Sequence, residues 1–320
     1  MKKIFGWLFI IIINYFLFLF LIYILSAILL TKKIIPNFGL ITEYQRNYYT
    51  IGLRNIWHSN EECVEFSESQ VYIPKKTNCD FNNIEFETTL SFNELGRYSD
   101  HPEESNYGVV VLGDSHAMGW GVNDEETFSH LLEKKINKPV YNLGVSGYGT
   151  IRQLIRLKES NLIDKVDTII IQYCYNDHGE NVNYEKNSLD AAKKKYELVT
   201  GNTKYSFWKK LRKSFRYAAT IPIDIITNKN KKMDFNHHNE TFIKVLKSYP
   251  FVKDKRIIVF YVNGHQQIFT NFPKGKSKIF NNLEYVDLNI EKNPKNFYLI
   301  DGHLNQVGHI QIADKLSRLF

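Results

Sequence analysis

The polarity of the chain changes character twice. Positions 4–30 carry no charge, and apart from Tyr15 and Tyr23 only Gly6, Asn14 and Ser26 break the apolar run. As a helix the run would be about 40 Å long, against roughly 30 Å of bilayer hydrocarbon. Residues 34–105 are polar and weakly patterned, with short strand-like pieces such as Val71-Tyr72-Ile73. From 108 onward, continuous apolar runs alternate with helical spacing. Buried strands are predicted at 108–112, 139–143, 166–173, 256–262 and 297–300. Helices are predicted over 124–136 (Phe128, Leu131, Leu132), over 151–162 and over 305–320. In the last of these, Val307, Ile310, Ala313, Leu316 and Phe320 form the expected inward stripe. Strands alternating with helices predict a parallel sheet covered on both faces. The division expected is 1–33 as a membrane anchor, 34–105 as an N-terminal extension, and 106–320 as the α/β domain. An insertion at about 178–250 is too long for a plain connection and must carry its own structure. Within it, 204–216 is basic and amphipathic, with Trp208, Leu211 and Phe215 at helical spacing. It reads as the solvated face of a packed helix, or as a cap near the site or a helix at an anionic lipid or glycan surface.

Charge alters this picture little. The formal net charge is +7, but Lys2, Lys3, Lys32 and Lys33 flank the apolar run and supply more than half of it. The basic balance therefore implies no nucleic-acid partner. Hydrophobic residues at 43% and charged residues at 23% exclude a disordered chain. Three cysteines are too few for a disulfide-built scaffold, and no spacing suggests a structural metal. His237-His238 is a weak metal signal, so neither metal nor cofactor is expected.

For 4–30 a buried core helix and a cleaved signal peptide are the alternatives. Ser26-Ala27 is followed by Ile-Leu-Leu, a poor cleavage site, which favours an uncleaved anchor. Lysines on both sides leave the orientation open. Cys63 and Cys79 lie sixteen apart in a polar stretch. They are either unrelated thiols or a disulfide worth about 3 kcal/mol, which would place the domain outside the cytoplasm. Cys174 follows an apolar run and reads as a small buried hydrophobe.

Polar residues gather where the predicted strands end. The first is followed by Gly113-Asp114-Ser115-His116, and the second by Asn142-Leu143-Gly144-Val145-Ser146-Gly147. The third is followed by Tyr175-Asn176-Asp177, and the last by Asp301-Gly302-His303. In open parallel sheets sites form beyond the carboxyl ends of strands. A serine hydroxyl becomes a nucleophile when a base takes its proton, and His303 is the candidate base. Asp301 would hold the imidazole in the needed tautomer.

The order and content of these blocks resemble the SGNH/GDSL hydrolase family over about 108–320. Ser115, Gly147, Asn176 and His303 match its four named residues. The resemblance implies a flavodoxin-like three-layer sandwich with a five-stranded parallel sheet, and ester chemistry through an acyl-enzyme. It implies an oxyanion hole made by the backbone N–H groups of Ser115 and Gly147 and the amide of Asn176. Three positions depart from the family pattern. The first block reads Gly-Asp-Ser-His, as in SGNH domains attached to sugar acyltransferases. Cys174 stands where glycine is frequent. Asp301 lies two residues before His303 rather than three, which leaves its orienting role to geometry. His116 and His309 read as structural or solvent-facing, and Asp114 and Asp177 as loop-holding. The expectation is a membrane-anchored serine esterase acting on O-acyl, chiefly O-acetyl, groups of extracytoplasmic carbohydrate or on small esters. An O-acetyltransferase using the same site, with a membrane acyltransferase partner as donor, and a non-catalytic glycan-binding module are the alternatives.

Overall fold

The computed structural model describes residues 2–36, 39–101, 107–183, 189–200, 206–227, 232–264 and 267–320. Positions 204 and 205 of the basic segment lie outside them. Helices α1 (Lys2–Thr31) and α2 (Gly39–Gly52) come first, then a hairpin of β1 (Val64–Ser67) and β2 (Val71–Pro74). Next are β3 (Asn78–Asn82), β4 (Glu87–Asn93) and β5 (Gly96–Arg97). The alternating part begins with β6 (Gly108–Leu112), α3 (Ser115–Met118), α4 (Phe128–Ile136), β7 (Val140–Asn142), α5 (Thr150–Glu159) and β8 (Val166–Tyr173). The insertion holds α6 (Asp177–Asn183), α7 (Leu189–Thr200), α8 (Phe207–Thr227), β9 (Lys232–Asp234) and α9 (Phe235–Lys247). Strands β10 (Arg256–Tyr261), β11 (Ile268–Thr270), β12 (Gly275–Lys276) and β13 (Leu283–Tyr285) and helix α10 (Gln306–Ser317) complete the order.

The main sheet runs β12-β13-β10-β8-β6-β7-β5-β4-β3. Its five central strands, β7-β6-β8-β10-β13, are parallel. Numbered along the chain they stand in the order 2-1-3-4-5, the flavodoxin-like arrangement. The Val/Ile-rich runs become strands because both faces are covered, and the side-chain period of two sorts them. Val110, Leu112, Ile169, Ile171, Ile257 and Val259 face one core with α5 and α9. Val109, Val111, Ile170, Ile258 and Phe260 face the other with α4 and α10. Each such aliphatic side chain contributes about 1.5–3 kcal/mol through burial. Thr127 caps α4 by accepting from the His130 N–H, and Asn137 ends it in the left-handed region at φ 51°.

Two sequence expectations are corrected here. The fifth parallel strand is Leu283–Tyr285, not 297–300. The 297–300 segment makes only a single antiparallel bridge, Phe297 to Leu304. Its backbone donors are taken elsewhere, because the Glu85 carboxylate accepts from the N–H groups of Leu299 and Ile300. Its apolar side chains fill separate clusters rather than two sheet faces: Phe297 packs by α10, and Ile300 packs on Leu30 and Tyr49. The inward face of α10 also differs. Gly308, His309, Ile312, Ala313 and Leu316 are buried, while Val307, Ile310 and Phe320 are exposed. The rotation is set by the Asn305 cap on Gly308 N–H and by His309, whose Nδ1 accepts from Phe128 N–H at 3.0 Å.

The 34–105 region joins the sheet through β5, where Arg97 pairs with Asn142 of β7. Its Trp57, Tyr72, Phe81 and Phe86 share a core with Met118, Trp120, Val145 and Tyr148 from the loops beyond β6 and β7. Cys63 and Cys79 are joined by a disulfide with Cα atoms 6.0 Å apart. Cys174 is a buried free thiol.

Helix α1 is long and apolar enough to cross a membrane over Ile4–Thr31, with a mean hydropathy of 2.8. Its first half is exposed, but Leu19, Tyr23, Ala27 and Leu30 are buried against the rest of the protein. Helices α2 and α8 both pack on this second half.

Histidines held neutral by burial predict a loss of stability in acid. Burial, aided by Arg54 and Arg152, lowers His58 to about 4. Burial, then the charge of Arg97, lowers His309 to about 3. A histidine with a depressed folded pKa contributes stability that is complete above its unfolded value near 6.5 and is lost as pH falls toward the folded value. The melting temperature, followed by circular dichroism, should therefore begin to fall between about pH 6.5 and 5, before ordinary carboxylates titrate. A flat profile over that interval would contradict the assignment.

Candidate active site

The turn that carries the candidate nucleophile grows out of β6. A Cβ at Gly113 would lie 2.5 Å from the Ala117 Cβ and 2.7 Å from the Gln172 Oε1, so only glycine fits this close approach. Gln172 of β8 accepts from the N–H groups of Asp114 and Ala117, both at 3.2 Å. Its own amide donates to the carbonyls of Tyr173 and Val262 at 3.2 Å. One buried glutamine thus fastens the turn to β8 and the end of β10. Asp114 caps α3 by accepting from the His116 N–H at 2.9 Å. Ser115 follows as the first helical residue.

Ser115 Oγ lies 2.8 Å from His303 Nε2. On the other side of the ring, His303 Nδ1 lies 2.5 Å from Asp301 Oδ1. With Nδ1–H donating to the carboxylate, Nε2 is left to accept the serine proton. The two-residue Asp–His spacing suffices because Gly302 turns the chain at φ 81°. Asp301 also accepts from Tyr49 O–H at 2.8 Å and pairs with Arg54 Nε at 3.1 Å. Burial works to raise the Asp301 pKa. The neighbouring charges of His303 and Arg54, with the hydrogen bonds from His303 and Tyr49, outweigh it and hold the carboxyl well below its usual range. It is therefore a fixed negative charge beside the imidazole.

The other two loops converge on α3. Val145 N–H donates to Gly113 O at 3.1 Å, and Ser146 N–H approaches Met118 Sδ at 3.4 Å. Gly147, next in line, has φ +79°, which glycine adopts without strain. Asn176 follows β8 on the opposite flank. The site straddles the β6/β8 boundary, where strand order reverses.

The sequence profile of the GDSL-like lipase/acylhydrolase family matches residues 109–316. The chain belongs to this family. It is a hydrolase acting on ester bonds. Solved structures to which the acylhydrolase is similar include a lipase/acylhydrolase from Enterococcus faecalis, at 17% identity and TM-score 0.35, covering 66% of this chain and 94% of that one. Another is a carbohydrate esterase family 2 enzyme from Corynascus thermopiles (Myceliophthora fergusii), at 12% and 0.35, covering 70% and 68%. A third is an acetyl xylan esterase, at 14% and 0.32, covering 66% and 98%. No curated protein sequence matches.

Several groups that build the acylhydrolase site carry no local sequence signal. Tyr49, Arg54 and Glu85 come from the weakly patterned 34–105 region. Glu85 accepts from the Asp301 N–H at 2.7 Å, besides those of Leu299 and Ile300. Arg46 Nε donates to Leu299 O at 2.6 Å. Arg54 also brings a guanidinium N–H to 3.1 Å from His303 Nδ1. The other polar residues flagged in the sequence fall into supporting places. Asp177 is buried and accepts from Thr150 O–H at 3.1 Å and from the Gln153 amide at 3.4 Å. His116 is buried with its ring centre 4.9 Å from that of His303. Burial, before all else, holds it neutral. His237 and His238 both lie against the His178 ring, and no cluster fit to hold a metal ion occurs among the described residues.

Proposed function

We propose that this acylhydrolase is a membrane-anchored serine esterase that removes O-acyl, chiefly O-acetyl, groups from carbohydrate outside the cytoplasm. The observation that carries the mechanism is the unbroken line Ser115 Oγ–His303 Nε2, His303 Nδ1–Asp301. Ser115 Oγ attacks the ester carbonyl while His303 takes its proton, and Asp301 stabilises the imidazolium. The N–H groups of Ser115 and Gly147 and the side-chain amide of Asn176 receive the oxyanion. His303 then protonates the departing alkoxide, leaving an acyl-Ser115. A water, deprotonated by His303, attacks the acyl carbon and releases the carboxylic acid with restored Ser115.

The anchor reading is supported by the packing of α1. Removing it as a signal peptide would uncover Tyr44, Tyr49 and Ala218, which now pack on Tyr23 and Leu30. The Cys63–Cys79 bridge supports an oxidising compartment. Carbohydrate is favoured by the Gly-Asp-Ser-His block, which resembles that of SGNH domains attached to sugar acyltransferases.

Full-length protein in detergent should release acetate from a soluble activated acetyl ester and from an acetylated oligosaccharide. Acetate recovered only on an added sugar acceptor would replace hydrolysis by transfer. No turnover, with Ser115 refractory to serine-directed inhibitors, would favour a binding module. A reporter fused after Phe320 should be active only outside the cytoplasm, and activity inside would reject the location.

A further inference from the structure

Helix α8 has an outward side that the domain leaves uncovered. Trp208, Phe215, Ile223 and Ile226 are 75%, 53%, 60% and 78% exposed. Their spacing of 7, 15 and 18 residues from the first puts them on one helical stripe. Arg212 and Arg216 stand on or beside the same side, and both are exposed. Between Phe207 and Arg216 there are five basic residues and no acid. The opposite side, with Ala218 and Ile221, is buried against Tyr23 of α1 and Tyr44 of α2.

The uncovered stripe is continuous with the bare surface of α1. Phe215 stacks on Phe20 with centroids 4.0 Å apart and planes 5° from parallel. A cavity of about 270 Å³ lies between the two helices, lined by Phe20, Ile24, Ile28 and Leu211 among others. Apolar groups with Trp at one end and arginines among them have the chemistry of a helix lying in a bilayer interface. The cations match anionic headgroups, at about 1 kcal/mol each near such a surface.

We propose that α8 is a second lipid-contacting element, seated in the interface of an anionic bilayer beside the anchor, so that the esterase works at the membrane surface on esters presented there. This rests on the reading of α1 as a membrane span. The catalytic carboxylate is built into the same assembly. Leu30 near the end of α1 packs on Tyr49 and Ile300, Tyr49 holds Asp301, and Arg46 holds Leu299. If about 20 residues from Ile4 fill the hydrocarbon, Leu30 emerges roughly 10 Å above it. Asp301 follows directly on the residue that touches Leu30. The domain is therefore seated on the bilayer rather than carried on a stalk, with the catalytic carboxylate held close to the surface.

The test uses the full chain in vesicles of phosphatidylcholine with a minor fraction of phosphatidylglycerol. A thiol-reactive fluorophore is placed by Trp208→Cys, Ile226→Cys, Ile11→Cys or Phe320→Cys, the native thiol Cys174 being buried. Spin-labelled lipid should quench positions 208 and 226 nearly as strongly as position 11, and aqueous iodide should quench only position 320. Position 11 in lipid with 208 and 226 open to iodide overturns the proposal and leaves the anchor standing. Position 11 open to iodide overturns both. Shielding of 208 and 226 from both quenchers assigns the stripe to a protein partner and rejects the lipid. Equal lipid quenching at 208 in vesicles without phosphatidylglycerol rejects the anionic preference.

Discussion

Ser115→Ala protein should fold normally and lose ester turnover by several orders of magnitude, on the order of 10⁴–10⁶. The Oγ is the only atom removed, and its hydrogen bond in the structure goes to His303. Ser115 stands at the start of α3, and the turn is held by Gln172 and the Asp114 cap rather than by the hydroxyl. His303→Ala should cost about as much, because without a base the hydroxyl is a poor nucleophile. The double variant should be little worse than either single one, since the pair acts as one unit. The measurement is turnover of a soluble acetyl ester by protein whose circular dichroism matches the parent. Near-normal turnover by folded Ser115→Ala protein would reject the acyl-enzyme mechanism outright.

Asp301→Asn should be nearly as damaging, with a loss of about 10³–10⁴, the scale of tautomer loss in a serine-protease triad. The surroundings of this carboxylate make the sign clear. Tyr49 O–H donates to one carboxylate oxygen and Arg54 pairs with the same oxygen, so both would favour the amide oxygen of an asparagine there. The amide nitrogen would then face His303 Nδ1. That nitrogen would have to accept, its proton would move to Nε2, and Nε2 could no longer take the proton of Ser115. The loss should appear in kcat with little change in KM, because the geometry is kept and only the tautomer is wrong. Unchanged kcat in Asp301→Asn would reduce the mechanism to a Ser–His dyad.

Much of the site was legible because its parts lie at strand ends. The buried runs at 108–112 and 166–173 become β6 and β8, and the residues just past them, Ser115 and Asn176, necessarily emerge at one edge of a parallel sheet. His303 was legible only through its block, since the strand thought to precede it does not exist. The 297–300 segment is as apolar as a strand and of the right length. What separates it from one is the Glu85 carboxylate, which takes the N–H groups a neighbouring strand would have used. The true fifth parallel strand, Leu283–Tyr285, is three residues long with a glutamate at its centre, too short for periodicity to reveal.

The sequence by itself determined the α/β alternation, the apolar run at 4–30 and the candidates for the nucleophile and its base. Each of these depends on contacts close along the chain or on a run long enough to show its period. Only the tertiary structure decided how Asp301 is held and where the insertion helix goes. Tyr49 and Arg54 meet Asp301 across about 250 positions of chain, and Phe20 meets Phe215 across nearly 200. Contacts at that separation leave no local pattern, because their partners are selected by how the sheet, the extension and the anchor pack together.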